Sequence, residues 1–212
     1  MAVASWVSET YPEKVIDGPA LVREWYRLEQ IHFPKYLRGE LTMAEQQAAR
    51  ARDIEGWVND EAPAPRVLDF SKYLRHYESS WRAFDDVDET IAWCKARNVS
   101  VAIASNGNAE QQLRKLGATG LGALSNYLLT PQDLGTQKPD PEFLVRACQY
   151  LNADPSQTAY VGDDLVHDVE TAQMAGLIPI WINRKNSCEA VPSDVFVLAS
   201  LTELFALFDA CL

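Results

Sequence analysis

The sequence predicts an α/β protein: a parallel sheet with helices on both faces, preceded by an all-helical N-terminal third. Three observations predict it. Short apolar runs alternate with amphipathic helical stretches from Asp88 to Phe208. No strand pattern occurs before residue 98. Finally, the stretch Thr158–Asp168, TAYVGDDLVHD, breaks an apolar run at Gly162 and sets Asp163, Asp164 and Asp168 just beyond it. An apolar strand ending in acids is where an open α/β sheet places ligands, outside the carboxyl ends of its strands.

In the helical third, Pro19 starts a helix through Trp25 and Leu28 that Gly39 stops. Thr42-Met43-Ala44-Glu45 has capping-box spacing and opens a second helix through Ile54 and Trp57. Pro63 and Pro65 then break the chain. A third helix, about 70–81, repeats Tyr73, Tyr77 and Trp81 every four residues, one apolar stripe suited to core packing. Trp6, Trp25 and Trp57 are expected in the core.

From Asp88 the elements read in order as helix 88–97, strand 99–104, helix 108–116, strand 127–129 and helix 141–151. Strand 158–161, helix 166–175, strand 178–182, edge strand 195–198 and helix 201–208 follow. The boundary between helical and α/β parts falls near 81–86, giving units 1–82 and 83–212.

Composition narrows the function. The 212 residues suffice for one sizeable domain or a core with a small second one. A formal net charge of −11 leaves no basic surplus to release counterions, which argues against nucleic-acid or anionic-membrane partners. Cys94, Cys148, Cys188 and Cys211 are widely spaced with no CxxC, as free thiols in a reducing cytoplasm would be. No apolar run reaches the length of a membrane span, and residues 1–15 lack the basic start of a signal peptide.

Three sites fall at strand ends on one expected sheet edge. Ser105-Asn106-Gly107 follows VAIA and offers a hydroxyl and backbone N–H groups, either as an anion cradle or as a helix N-cap. Lys138, in Gly135-Thr136-Gln137-Lys138-Pro139-Asp140-Pro141, stands either as a cation for a phosphoryl group or as a solvated lysine in a proline turn. Asp163, Asp164 and Asp168 suit a hard cation such as Mg2+, or an acidic helix start. His32, His76 and His167 are scattered and read as surface or packing histidines.

The order SNG, then GxxKPDPEF, then a strand with GDDxxxD and a downstream AG resembles the haloacid dehalogenase-like (HAD) hydrolase superfamily over 82–185. The helical third is similar to that family's helical cap. The resemblance implies a Rossmann-like core, Mg2+ as cofactor and hydrolysis of a small phosphorylated metabolite through an aspartyl intermediate. By position, Ser105, Asn106, Gly107 and Lys138 would bind the phosphoryl group, with Ser105 and Lys138 catalytic. Asp163 would bind Mg2+, Asp168 would support the metal or Lys138, and Asp164 would be secondary. A 2-haloacid dehalogenase and a non-catalytic phosphate- or metal-binding protein on the same scaffold are the alternatives.

One family feature is missing. The first motif, a strand ending in DxDxT that carries the nucleophilic Asp, should precede the cap, but no Asp occurs before Asp17. The match at Asp86, Asp88 and Thr90 lies nineteen positions before Ser105, with no buried strand leading in, and is expected to start a helix. The expectation is therefore an inactive chain with a gap in its sheet and exposed strand edges. A start too far downstream accounts for this better than a degenerate relative, because Ser105, Lys138, Asp163 and Asp168 are all present.

Overall fold

The computed structural model describes residues 2–60 and 68–211, with the side chains of 210 and 211 set aside. Pro63 and Pro65 lie outside the described residues, as does the side chain of Cys211. The chain forms two compact units, Met1–Trp81 and Arg82–Leu212.

Among the described residues the first unit is four helices: α1 (Ala2–Thr10), α2 (Gly18–Leu37), α3 (Met43–Asn59) and α4 (Phe70–Ser79). Their ends follow local chemistry. Asp17 accepts from Ala20 N at 3.3 Å, and Gly39 leaves α2 in the left-handed region at φ 72°. Thr42 and Glu45 form the full capping box, Glu45 N to Thr42 Oγ1 at 3.2 Å and Thr42 N to Glu45 Oε2 at 2.7 Å. One core holds the unit together, built from Val3, Trp6, Val7, Leu21, Trp25 and Ile54 among others. Trp6 and Trp25 meet edge to face at 5.6 Å, and Tyr73 stacks on Tyr77, whose ring meets Trp81. Trp57 departs from expectation: it is 39% exposed. The apolar stripe of α3 runs through Ala51 and Ile54, and Trp57 falls outside it.

The second unit alternates as expected: α5 (Val87–Ala96), β1 (Ile103–Ala104), α6 (Ala109–Ala118), β2 (Leu128–Leu129), α7 (Pro131–Leu134) and α8 (Glu142–Leu151) come first. Then follow β3 (Ala159–Gly162), a wide π-type turn (Leu165–Glu170) running into α9 (Thr171–Met174), β4 (Ile178–Ile182), β5 (Phe196–Leu198) and α10 (Leu204–Cys211). All pairing is parallel, as crossover helices require.

The strands fall into two sheets. In one, β1 pairs with β2, Ile103 opposite Leu128; in the other the order is β3-β4-β5, with Ala159 opposite Ile178 and Ile180 opposite Phe196. No ladder joins β1 to β3 among the described residues. The Tyr160 hydroxyl bridges them, donating to Ala104 O at 3.2 Å. Burial matches this division. No residue of β1 or β3 is fully buried, whereas β4 is buried from Pro179 to Ile182. A covered parallel sheet buries its strands on both faces, so the half-buried strands 103–104 and 159–162 mark two unpaired edges. The same lack of a second partner shortens β1 from the expected 99–104 to two residues, the number β2 offers to pair.

Candidate functional site

Three chain segments meet beyond the carboxyl ends of β1 and β3, and Lys138 lies at the centre. It is 8% exposed although it precedes a surface helix. Its ammonium donates to Asp168 Oδ1 at 2.5 Å and to Tyr160 Oη at 2.8 Å, which occupies two of its three N–H bonds. Burial alone would push the Lys138 pKa down. The Tyr160 oxygen and the Asp168 carboxylate outweigh it and hold the pKa above the ordinary lysine value. Lys138 is therefore a fixed cation, not a solvated lysine in a turn.

Asn106 holds the Lys138 backbone from both sides. Its Oδ1 accepts from Lys138 N at 2.9 Å, and its Nδ2 donates to Lys138 O at 2.7 Å. Its side chain thus positions the lysine and is committed there. The loop around Ser105 is anchored by Ser105 N donating to Leu129 O at 3.0 Å, and Ser105 Oγ accepts from Gly107 N at 3.1 Å. The N-cap of α6 is Asn108, which accepts from Gln111 N at 3.1 Å, so Ser105-Asn106-Gly107 is free of that duty.

The three aspartates have separate environments. Asp168, 7% exposed, gives Oδ1 to Lys138 and accepts from Asp164 N through Oδ2 at 3.1 Å. It approaches the strand end so closely that a Cβ on Gly162 would lie 2.2 Å from the Asp168 Cβ, so glycine is required at that position. Asp164 caps the wide turn, accepting from Val166 N at 3.0 Å and His167 N at 2.8 Å. Burial would raise its pKa, but those N–H groups and His167 hold it below the usual carboxylate value. The Asp163 side chain is exposed, while its backbone oxygen accepts from Trp181 Nε1 at 3.1 Å. The described residues contain no group of three His, Cys, Asp or Glu arranged to hold a metal. A hard divalent cation that keeps several waters needs only one or two carboxylates. Asp163 fits that demand directly, whereas both Asp168 oxygens already have protein donors.

Sequence reasoning missed Tyr160, which joins Lys138 to the β1 edge and is the polar residue of an otherwise apolar strand. It also missed the clamp made by Asn106. His32, His76 and His167 pair with Asp53, Glu9 and Asp164.

Asp86 begins α5 but makes no cap bond there. It accepts both Arg184 Nη1 (2.7 Å) and Nη2 (2.9 Å), Ser200 Oγ (2.8 Å) and Leu201 N (2.8 Å). The Arg184 guanidinium beside it holds its pKa down to about 2. The expected cap at the start of α5 is thus replaced by a clamp onto the segment before α10, because the arginine fork is a stronger partner than a backbone N–H.

Comparisons with known proteins bear on the family of the chain. The chain is 26% identical to human haloacid dehalogenase-like hydrolase domain-containing protein 3 over 195 residues, 88% of this chain and 77% of that protein. It is 29% identical to a phosphoserine phosphatase of Thermus thermophilus and 32% identical to (S)-2-haloacid dehalogenase 4A of Burkholderia cepacia. Those matches take in 64% and 50% of this chain, and 55% and 45% of the relatives, so the chain spans about half the length of these two. Among solved structures, the HAD-hydrolase YfnB of Bacillus subtilis superposes with a TM-score of 0.80 at 20% identity, over 98% of this chain and 91% of that one. A model of the haloacid dehalogenase-like hydrolases matches residues 3–176. With that match over most of its length, this chain belongs to the haloacid dehalogenase-like hydrolase family.

Proposed function

We propose that this chain carries most of the active site of a Mg2+-dependent phosphatase acting on a small phosphorylated metabolite, with Met1–Trp81 as the cap. The observation that carries the reading is Lys138: a buried ammonium, charged and fixed, held by Asn106 on the same loop as Ser105. Such a cation offsets the negative charge that builds on a transferring phosphoryl group, and being pre-positioned it costs little reorganisation. Ser105 and Gly107 would hold phosphoryl oxygens, and Asp168 would keep Lys138 oriented and charged. Asp163, with Asp168 as its supporting neighbour, would hold Mg2+, which supplies charge neutralisation at the phosphoryl oxygens when bound. Relatives named phosphoserine phosphatase and N-acetylmuramic acid 6-phosphate phosphatase support the substrate class.

No carboxylate of the described residues stands beside Lys138 except Asp168, which is committed to it. Asp86 is equally committed, to Arg184. The attacking carboxylate is therefore expected on a strand seated between β1 and β3 that is not among the described residues, and the chain as it stands is expected to be inactive. The test compares this chain with one extended by such a strand ending in DxD, using an aryl phosphate with and without Mg2+. Turnover by the extended chain alone, lost in Lys138→Ala, is the expected result. An extended chain that is folded yet inert overturns the reading.

Dehalogenase relatives favour a second reading, attack on the carbon of a 2-haloacid without metal. Halide release by the extended chain in the presence of a chelator would select it. Binding of phosphate or Mg2+ that raises Tm without turnover in either chain would select the third, a non-catalytic binding protein.

A further inference from the structure

Arg50 of α3 is only 5% exposed, yet its guanidinium is poorly satisfied. Nη1 reaches Glu29 Oε1 at 3.3 Å, the guanidinium carbon lies 4.1 Å from the Trp25 ring centroid, and neither Nε nor Nη2 has a partner among the described residues. Those two atoms form one complete edge of the guanidinium, the side-on pair of parallel N–H bonds that engages two oxygens of an oxyanion. One turn earlier on the same helix, Gln46 is 3% exposed and its Oε1 likewise has no partner among the described residues. Buried polar groups are almost always paired, because an unmet donor costs about 1–3 kcal/mol and an unmet charged one more. Burial pushes the Arg50 pKa down, and Glu29 only partly restores it. The Glu29 side chain is itself 37% exposed, so the guanidinium is one side chain from solvent.

The geometry points to a binding site in the helical unit, where the Nε/Nη2 edge of Arg50 takes the carboxylate or phosphate group of a small organic anion and Gln46 Oε1 accepts from a neighbouring hydroxyl. The guanidinium is held over the Trp25 ring, so the edge is pre-formed and loses little entropy on binding. The test of this site reads binding, not turnover.

The intact chain is titrated at constant ionic strength with propionate, lactate and inorganic phosphate, against chloride, following Tm and tryptophan fluorescence. A saturable rise in Tm and a change in fluorescence are expected with the oxyanions and not with chloride, with lactate tighter than propionate. Arg50→Lys keeps the charge and loses the fork, and weakens binding on the order of tenfold. Arg50→Gln abolishes it, and Glu29→Gln, which removes a competing carboxylate, tightens it. Equal responses in the wild type and Arg50→Lys, or no oxyanion-specific response in the wild type, overturn the site and leave an ordered water as the partner of the edge. The Lys variant retains a cation at the buried position, so a folding defect in the Gln variant does not blunt the comparison.

Discussion

Asp86→Asn separates structure from catalysis at the chain's DxDxT match. The wild-type carboxylate accepts four hydrogen bonds, two of them from Arg184, with side-chain exposures of 11% and 24% for the pair. An amide turned to keep Ser200 and Leu201 N as donors to its oxygen sets its NH2 against the guanidinium. Breaking such a pair while leaving the arginine in place costs about 2–4 kcal/mol. Linkage gives an independent figure: a fall from the ordinary 3.8 to about 2 corresponds to roughly 2 kcal/mol. Because the folded pKa lies below the unfolded one, this stabilisation is complete above about pH 4 and is lost as pH falls through about 2. Thermal unfolding by near-UV circular dichroism should therefore show Asp86→Asn melting about 10 °C below wild type at pH 7, with the two curves converging at pH 2. A difference at pH 7 below about 0.5 kcal/mol, or one that persists undiminished at pH 2, refutes the clamp. In an extended, active chain the same variant should keep its turnover per folded molecule. Loss of turnover with the fold intact would refute the non-catalytic assignment.

Lys138→Met strands the buried Asp168 carboxylate and should cost about 3–5 kcal/mol, read as a fall in the urea midpoint together with loss of any phosphatase activity. Gly162→Ala drives a methyl into Asp168 and should displace it from Lys138; a crystal structure with the Lys138–Asp168 contact intact would count against the close approach. Thr42→Ala removes half of a capping box and should lower stability by about 1 kcal/mol, measured by chemical denaturation. Trp6→Ala should cost about 3–5 kcal/mol, whereas Trp57→Ala, at a surface position, should stay within about 0.5 kcal/mol.

Much of the fold was legible because local chemistry set it. Thr42 and Glu45 announce α3 in four residues, and the alternation after Asp88 yields every strand of the second unit in order. What was illegible depended on partners distant in sequence. The run Val99–Ala104 reads as six residues of strand, but strand length is set by the neighbour that pairs with it, and β2 offers two. Trp57 reads as core because its residue type is apolar, while its exposure follows from which face of α3 meets the other helices. At the site, Ser105, Asn106, Lys138 and the aspartates stood out by residue type and position. Asn106 stood out as a phosphoryl ligand and not as a clamp, and Tyr160 not at all, because a clamp across 32 residues and a hydroxyl reaching a neighbouring sheet have no local signature. Asp86 reads from the sequence as the start of a helix, but its partners lie about a hundred residues downstream and had no signal in the sequence.

The division of the sheet has a consequence for how the protein comes apart. The helical unit has one continuous core, but the buried residues of the α/β unit form three separate clusters. Leu129, Phe143 and Ala172 belong to one, Val169 and Trp181 to a second, and Ile180, Leu198 and Leu204 to a third. Cooperative unfolding depends on contacts that every part shares, and segments that lack them open on their own at lower free energy. Amides of β1 and β2 should therefore exchange with deuterium ahead of those in β4, in two kinetic classes within one unit. Whatever fills the space between β1 and β3 would merge those classes, so a single exchange regime across the unit is the signature of a completed sheet.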